Sequence, residues 1–449
     1  MSQAFSENLD QVEARDNSNS ESSAGISTHE SDGKANCPSV PFLIAPQQGR
    51  PSIKVTTDSR TLADDTLVEL VCHQSSAGNE LRFLLWKGES VSIVDHFEDD
   101  GCSYTPPVLN QKLSDLNLRL PSGVKACASS EELFIEIGDL MRSHIDLPET
   151  SICLATAFVM STWFVDNLTV APYLWLCGPQ GSGKTTLLRL LHCLCRRGIM
   201  LAGTIPSPLY FLPALLRPTL LFDELRFNGT QHSHALESWL RAGNARGVPV
   251  AMAGGVVDSF GAKVLCSRQP VSDMALASRA LHVSMVPTRK NLRTLDDQTI
   301  ECIANDFQPR LLMFRLRYHR EFRLEPMDLS GALSPRIGDL LRALFLPLRV
   351  RKEILNPLRQ AVLDQVVQAK VESVHEPEAV VIRALFSYCH QPETSAVFVG
   401  HIASWINACR KKIGEETDLK ARAVGSILKS LRPCYGQVGQ FRPGAATHR

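Results

Sequence analysis

After a tail with no pattern of its own, three rhythms of apolar and polar positions succeed one another along the chain. In residues 1–45, Ser, Asn, Glu and Asp predominate and large apolar side chains are few, so the segment cannot bury enough surface to offset the entropy of ordering. A disordered tail is expected there. Across 51–125 apolar residues alternate with polar ones. Leu67–Cys72 reads as a strand, and Leu81–Trp86 with Val91–Phe97 reads as a hairpin turning at Lys87 and Gly88. Together they predict a small, separate, β-rich N-terminal domain.

The period changes at Ser129. Its hydroxyl can cap a helix and Glu132 completes a Ser-x-x-Glu capping box, after which Leu133, Ile137, Leu140 and Met141 fall on one face. A second helix, from Pro148 to about Asp166, is apolar on most sides. It leads into an alternation: strand Tyr173–Cys177, helix Lys184–Arg196, strand Thr219–Phe222, helix Ala235–Ala242, then strands Lys263–Cys266 and Leu281–Met285. Such alternation predicts an α/β domain over 129–290, with a parallel sheet flanked by helices. Helical spacing continues at 297–322, 335–347, 350–373 and 377–389, a helical lid region covering 291–392. The last unit, 396–449, holds helices Val399–Ile413 and Leu419–Leu431 and a glycine-punctuated tail, Tyr435–Arg442, patterned as a short hairpin.

Composition narrows the classes. A chain of 449 residues, 44% of them hydrophobic, is long enough for about two or three domains and a sizeable core. Lys plus Arg and Asp plus Glu both number 47, so no global charge announces a polyanion or a membrane, and any such site must be local. The cysteines follow no metal or disulfide spacing; Cys193 and Cys195 stand two apart in a helical stretch and point to different sides. Free thiols in a reducing cytoplasm are the expectation. The N-terminal run MSQAFSENLDQVEARD lacks the basic start and apolar stretch of a secretory signal. Ile152–Val165, the most membrane-like segment, falls well short of the roughly 20 residues that span a bilayer.

The densest chemistry lies between Gly178 and Thr186. Gly178-Pro-Gln-Gly181-Ser182-Gly183-Lys184-Thr185 fits G-x-x-x-x-G-K-[ST], between the apolar strand YLWLC and the helical run TTLLRLLHCL. Glycines there let the backbone wrap close to oxygen atoms, and the helix start adds positive potential. Lys184 is expected on the β and γ phosphates of ATP, Thr185 on Mg²⁺ and Thr186 on the α phosphate. A second apolar strand ends in Asp223-Glu224, 39 positions beyond Lys184. An acidic pair at a strand end suits a metal partner, Asp223, and a carboxylate that polarises the attacking water, Glu224. Ser267 closes a third strand and is the expected γ-phosphate sensor; Arg279, just before a fourth, is the expected arginine reaching the nucleotide of a neighbouring copy.

With GPQGSGKT, RPTLLFDE, LRAGNARG and DMALASRALHVSM, the stretch from Leu174 to Met285 resembles a domain of unknown function found in primase- and helicase-like proteins of phages, plasmids and bacteria. The resemblance continues more faintly through SPRIGDLLRALF and DLKARAVGSILKSL, about 270 residues in all. It implies a P-loop ATPase core of AAA+ or RecA-like type, with Lys184 and Thr185 as Walker A, Asp223 and Glu224 as Walker B, and Arg279 as the arginine of the family's Leu-x-x-Arg strand. True primases of the family carry an upstream polymerase domain with clustered acids. Residues 51–145 are too short and β-rich for one, and His96, Glu98, Asp99 and Asp100 read as a solvated turn.

A local basic excess appears at the C-terminus: Arg410, Lys411, Lys412, Lys420, Arg422 and Lys429 among others, against Glu415, Glu416 and Asp418. Two helices and a basic hairpin match a winged helix with Leu419–Leu431 as recognition helix, Arg422 and Lys429 on its outer face and Val424, Ile427, Leu428 and Leu431 inward. Arg241–Gly247 is a second candidate polymer contact, or equally a folding loop, and Arg336 is a candidate cis sensor. The expected partners are therefore ATP with Mg²⁺, DNA or RNA, and further copies of the chain. The alternative is a protein-remodelling or signalling ATPase whose C-terminal unit docks protein.

Overall fold

In the computed structural model, residues 53–448 are described except for 76–77, 109–115, 128, 203–209, 226–230, 253–254, 269–272, 322–334, 346–347, 349–355, 361, 365–376, 391–395, 413–417 and 432–446. The expected tail at 1–45 and the expected hairpin at Tyr435–Arg442 lie outside the described residues.

The β-rich segment comprises β1 (Ile53–Thr56), β2 (Ser59–Thr61), β3 (Leu67–Ser75), β4 (Gly78–Lys87), β5 (Ser90–Val94), β6 (Phe97–Asp99) and β7 (Cys102–Thr105). β2-β3-β4-β5 form an antiparallel sheet, and β1-β7-β6 a smaller one. Lys87 pairs with Ser90 across a two-residue turn in which Gly88 takes φ +62°, a conformation that glycine adopts without steric cost. Side chains of β3 alternate between two cores: Leu67 and Val71 enter one, Val68 and Leu70 the other. Both cores also contain the central sheet, so this segment shares its hydrophobic interior with the α/β domain.

That domain opens with α1 (Ser130–His144) and α2 (Glu149–Thr162). The Ser129 and Glu132 capping box is formed, with each side chain bonded to the other's backbone N–H. Then come β8 (Tyr173–Cys177), α3 (Lys184–Leu194), β9 (Gly198–Ala202), α4 (Leu212–Leu216), β10 (Thr219–Asp223), α5 (Gln231–Ala242), β11 (Val250–Met252), β12 (Gly255–Val257), β13 (Lys263–Ser267), α6 (Met274–Ala277) and β14 (Ala280–Ser284). β8, β9, β10, β13 and β14 make a five-stranded parallel sheet in the order β14-β8-β13-β10-β9. Strands buried on both faces read as continuous apolar runs, and YLWLC and KVLCS are such strands. Leu174 and Leu176 face α1, α2, α3 and α7 (Asp297–Tyr318); Tyr173 and Trp175 face Trp239 and Leu240 of α5. Helix α3 stops at Leu194, two residues before the expected end, because Cys195 is extended.

At the foot of the sheet, where its strands begin, lies a buried ionic hub. Glu69 of β3 accepts from Arg196 Nη2 (2.9 Å), Arg197 Nη2 (3.0 Å) and Arg315 Nε (2.6 Å). Arg197 also pairs with Asp58, and Arg315 donates to Asp166 (2.7 Å) and to the Trp163 carbonyl. Burial pushes the Glu69 carboxyl up, but the guanidinium groups of Arg196, Arg315 and Arg197 outweigh it and hold the group at about 2.

Beyond α7, α8 (Pro335–Phe345) packs on α2. The C-terminal unit runs α9 (Pro377–Cys389), β15 (Ala396–Val397), α10 (Val399–Lys412), α11 (Ala421–Ser430), β16 (Thr447–His448), with β15 and β16 antiparallel. Val381, Ala384, Ile402, Ile406 and Val424 form its own core, so α9 packs with this unit.

Candidate functional site

The P-loop leaves the head of β8, the C-terminal end of the strand. Two conformations shape it. Gly181 and Gly183 take φ +78° and +83°, and α3 begins immediately after. Two glycines at positive φ ahead of a helix N-terminus make a backbone concavity suited to anions. Gly178 is required for a different reason: a Cβ there would sit 2.2 Å from the Met285 carbonyl oxygen, because β14 packs directly against the loop's start. Lys184 is half-buried, and its Nζ donates to the carbonyls of Gly178 and Pro179, both at 2.7 Å. These two bonds hold the ammonium within the loop without a carboxylate partner at those contacts. Ser182 is buried and donates to the Pro179 carbonyl (2.9 Å), while Thr185 is exposed and Thr186 half-buried at the helix start.

The acidic pair ends β10, with β13 lying between it and β8. Asp223 is the last residue of the strand and half-buried. Glu224 follows at φ +54°, a left-handed conformation uncommon for a residue with a Cβ. Its carboxylate forms an ion pair with Arg268, the residue after β13. Two backbone bonds stitch these strand ends together: Gly178 N–H donates to the Ser267 carbonyl (3.3 Å), and Leu225 N–H to the Cys266 carbonyl (2.7 Å). The P-loop, the acidic pair and the end of β13 therefore form one cluster at the head of the sheet. Burial raises the Cys266 thiol to about 12, with Asp223 adding to the rise, so it stays protonated there.

Of the remaining candidates, Ser267 shares this strand end and Arg279 does not. Ser267 is buried and its hydroxyl accepts from Trp175 Nε1 (2.8 Å), a tie between two strands. Arg279 precedes β14, whose Ala280 is in register with Tyr173, the first residue of β8. It therefore lies at the foot, roughly 16 Å from its own P-loop by the rise of a five-residue strand. Its guanidinium donates to the Ala275 carbonyl. The Arg336 side chain lies outside the described residues.

The stretch Arg241–Gly247 is used in packing. Asn244 donates to the Ala171 carbonyl (2.8 Å), Arg246 donates to the carbonyls of Leu168, Val165 and Asp166, and Arg241 pairs with Asp273. Asp99 pairs with Arg60, and Asp100 turns the chain at φ +49° between β6 and β7; among the described residues no group of three or more acids, histidines and cysteines is placed to hold a metal ion. On α11, Arg422, Ser426 and Lys429 are exposed, Val424 is buried, and Ile427 and Leu428 are half-buried. Among the described residues no helix is long and apolar enough to cross a membrane.

Arg268, the ion-pair partner of Glu224, was not among the residues chosen from the sequence. Its one signal was position, since it is the first residue beyond a buried strand that ends beside the P-loop.

No family model matches the chain, and no curated protein sequence matches it. Among solved structures the chain is similar to SCCmec type IV Cch, described as an active helicase, at 11% identity over 84% of this chain and 78% of that one (TM-score 0.39). It is also similar to the apo C-terminal region of NrS-1, at 11% identity over 83% and 93% (TM-score 0.33). A full-length MCM homologue from Methanopyrus kandleri matches at 12% identity over 66% and 76% (TM-score 0.34).

Proposed function

We propose that the chain is a P-loop ATPase that hydrolyses ATP with Mg²⁺ and couples the reaction to nucleic acid, as a helicase-like or replication-accessory enzyme. One observation carries the ATPase reading: Lys184 and the glycine-shaped loop meet Asp223 and Glu224 at the head of one parallel sheet. Gly178, Gly181, Ser182 and Gly183 form the phosphate cradle, Lys184 turns from the loop carbonyls to the β and γ phosphates, and Thr186 reaches the α phosphate. Thr185 and Asp223 would hold Mg²⁺, which supplies positive charge against the β and γ oxygens. Glu224 orients the water whose oxygen bonds to the γ phosphorus as the bond to the bridging oxygen breaks, and it takes the proton released as ADP leaves.

The nucleic-acid half rests on α11, where Arg422 and Lys429 lie on the exposed face opposite buried Val424. In a winged-helix arrangement of α9, β15, α10, α11 and β16, that face is the one offered to a duplex. Arg279, remote from its own P-loop, fits action on the nucleotide of a second copy.

The deciding measurement is ATP turnover with and without DNA or RNA. Turnover abolished by Lys184→Ala and by Glu224→Gln, and stimulated by nucleic acid in a salt-dependent way, is the expected result. Turnover indifferent to DNA and RNA, with a nuclease-resistant protein partner recovered instead, would move the reading to protein remodelling.

A further inference from the structure

The geometry points to a second phosphate site, at the foot of the sheet, where a small phosphate ion that still carries a proton joins the β-rich segment to the α/β domain. It lies at the opposite end of the sheet from the P-loop and does not depend on what binds there. The cavity measures about 240 Å³ and is lined by Arg60 of β2, Asp166 and Asn167 beyond α2, Arg217 ahead of β10, and Arg315 and His319 at the end of α7, among others. Pockets for drug-sized ligands begin at roughly 300 Å³, and a water takes roughly 30 Å³. The cavity is therefore too small to enclose a nucleotide and large enough for a tetrahedral ion with a few waters.

Charge selects an anion. Among the described residues, the ion pairs around the cavity join five guanidinium groups, those of Arg60, Arg196, Arg197, Arg217 and Arg315, to four carboxylates, those of Asp58, Glu69, Asp99 and Asp166. Buried Arg196, whose charge reaches Asp166 and His319, has no partner for Nε or Nη1. Arg315 is 3% exposed and fixed by Glu69 and Asp166. Arg60 and Arg217 are 39% and 43% exposed, so both can turn to a new oxyanion without unpacking, and Asp58 keeps Arg197 when Arg217 turns. The proton follows from the other lining groups. Asp166 presents a carboxylate and Asn167 Oδ1 is buried without a partner, both of them acceptors, so the ligand must donate as well as accept. His319 Nδ1 is likewise unpartnered. Phosphate near neutral pH keeps a proton; sulfate has none and meets those two acceptors only with repulsion.

The test measures binding of inorganic phosphate to the full chain by calorimetry at constant ionic strength, in the unaltered protein and in Lys184→Ala, since the P-loop is itself suited to anions. Saturable binding that survives Lys184→Ala is expected, with sulfate weaker by roughly fivefold or more. Arg60→Gln and Arg217→Gln should each weaken phosphate roughly fivefold or more, while Lys87→Gln, an exposed change on the same β-rich segment, should leave it within about twofold. Urea midpoints without phosphate establish that each variant is folded. Phosphate should also raise the midpoint of the unaltered chain, and Arg217→Gln should remove most of that rise. Three results would each overturn the inference: no saturation up to about 10 mM, binding that disappears with Lys184→Ala but survives both arginine changes, or sulfate held as tightly as phosphate.

Discussion

Two clusters of charge stand at opposite ends of the same parallel sheet and are built on opposite terms. At the foot, Glu69, Arg196, Arg197 and Arg315 have side chains at most 4% exposed, and each is bonded to two or more partners or to a bidentate one. At the head, Glu224 and Arg268 are 38% and 53% exposed and face one another, while Lys184 rests on backbone carbonyls. A buried charge is tolerable only with its partners in place, so the foot holds one arrangement. A half-exposed charge can change partners at small cost, which a site that binds and releases phosphate needs. Burial, more than charge, separates the residues that fold this protein from those proposed to work for it.

The largest effect should come from breaking the foot. Glu69→Ala leaves three buried guanidinium groups without their shared carboxylate and should cost about 3–5 kcal/mol of stability, read as a lower urea midpoint. If the midpoint stays put, the hub is not what joins the β-rich segment to the core.

The second effect is acid sensitivity. Burial lowers His192 to about 4, and burial together with Arg315 lowers His319 to about 4, from an ordinary 6.5. The unfolded chain then binds more protons than the folded one between these values, so stability is full above pH 6.5 and falls as pH drops toward 4. A loss of about 2 kcal/mol from about pH 7.5 to about 5.5 is expected, allowing for partial solvent screening. Glu69 adds a later loss with the usual carboxylate sign: its contribution is present above about 4.5 and disappears toward 2. Proton uptake on unfolding, followed by titration calorimetry, should drop by about one when His319 is replaced by Gln.

The head was far more legible in the sequence than the foot, for a physical reason. The P-loop is a local object, with glycines, lysine and helix start within a few residues, and the strands around it are continuous apolar runs. Glu69, by contrast, shares a face of β3 with the buried Leu67 and Val71, and nothing local says which charges meet it there; its partners Arg196 and Arg315 stand 127 and 246 positions away. Arg196 reads as the last residue of a helix. At β13 the strand was legible, but the bond that the Ser267 hydroxyl accepts from Trp175 on the neighbouring strand was not. The arginines of Arg241–Gly247 suggested a polymer contact, but Arg246 is consumed by three carbonyls and the Phe260 ring.

Arg279 tests the comparison differently, because it lies at the foot but is assigned to chemistry. It is half-buried, and Arg279→Ala should cost under about 1 kcal/mol of stability, far less than a hub arginine. Turnover should nevertheless fall and be restored by mixing with Lys184→Ala subunits that keep Arg279. Failure of the mixture to regain turnover would return Arg279 to a structural role at the foot.

The smallest change in stability is expected at the centre of the proposed chemistry. Lys184 is half-buried and donates only within its own loop at the contacts described, so Lys184→Ala should shift the urea midpoint by no more than about 0.5 kcal/mol. The distinguishing readout is linkage. ADP at a hundred times its dissociation constant stabilises a folded protein that binds it by about 2.7 kcal/mol, and the variant should lose most of that increment while its ligand-free midpoint stays near the original. A Lys184→Ala protein that unfolds as readily as Glu69→Ala would mean that the head is held together as tightly as the foot. Charge at the two ends of the sheet would then differ in exposure without differing in purpose.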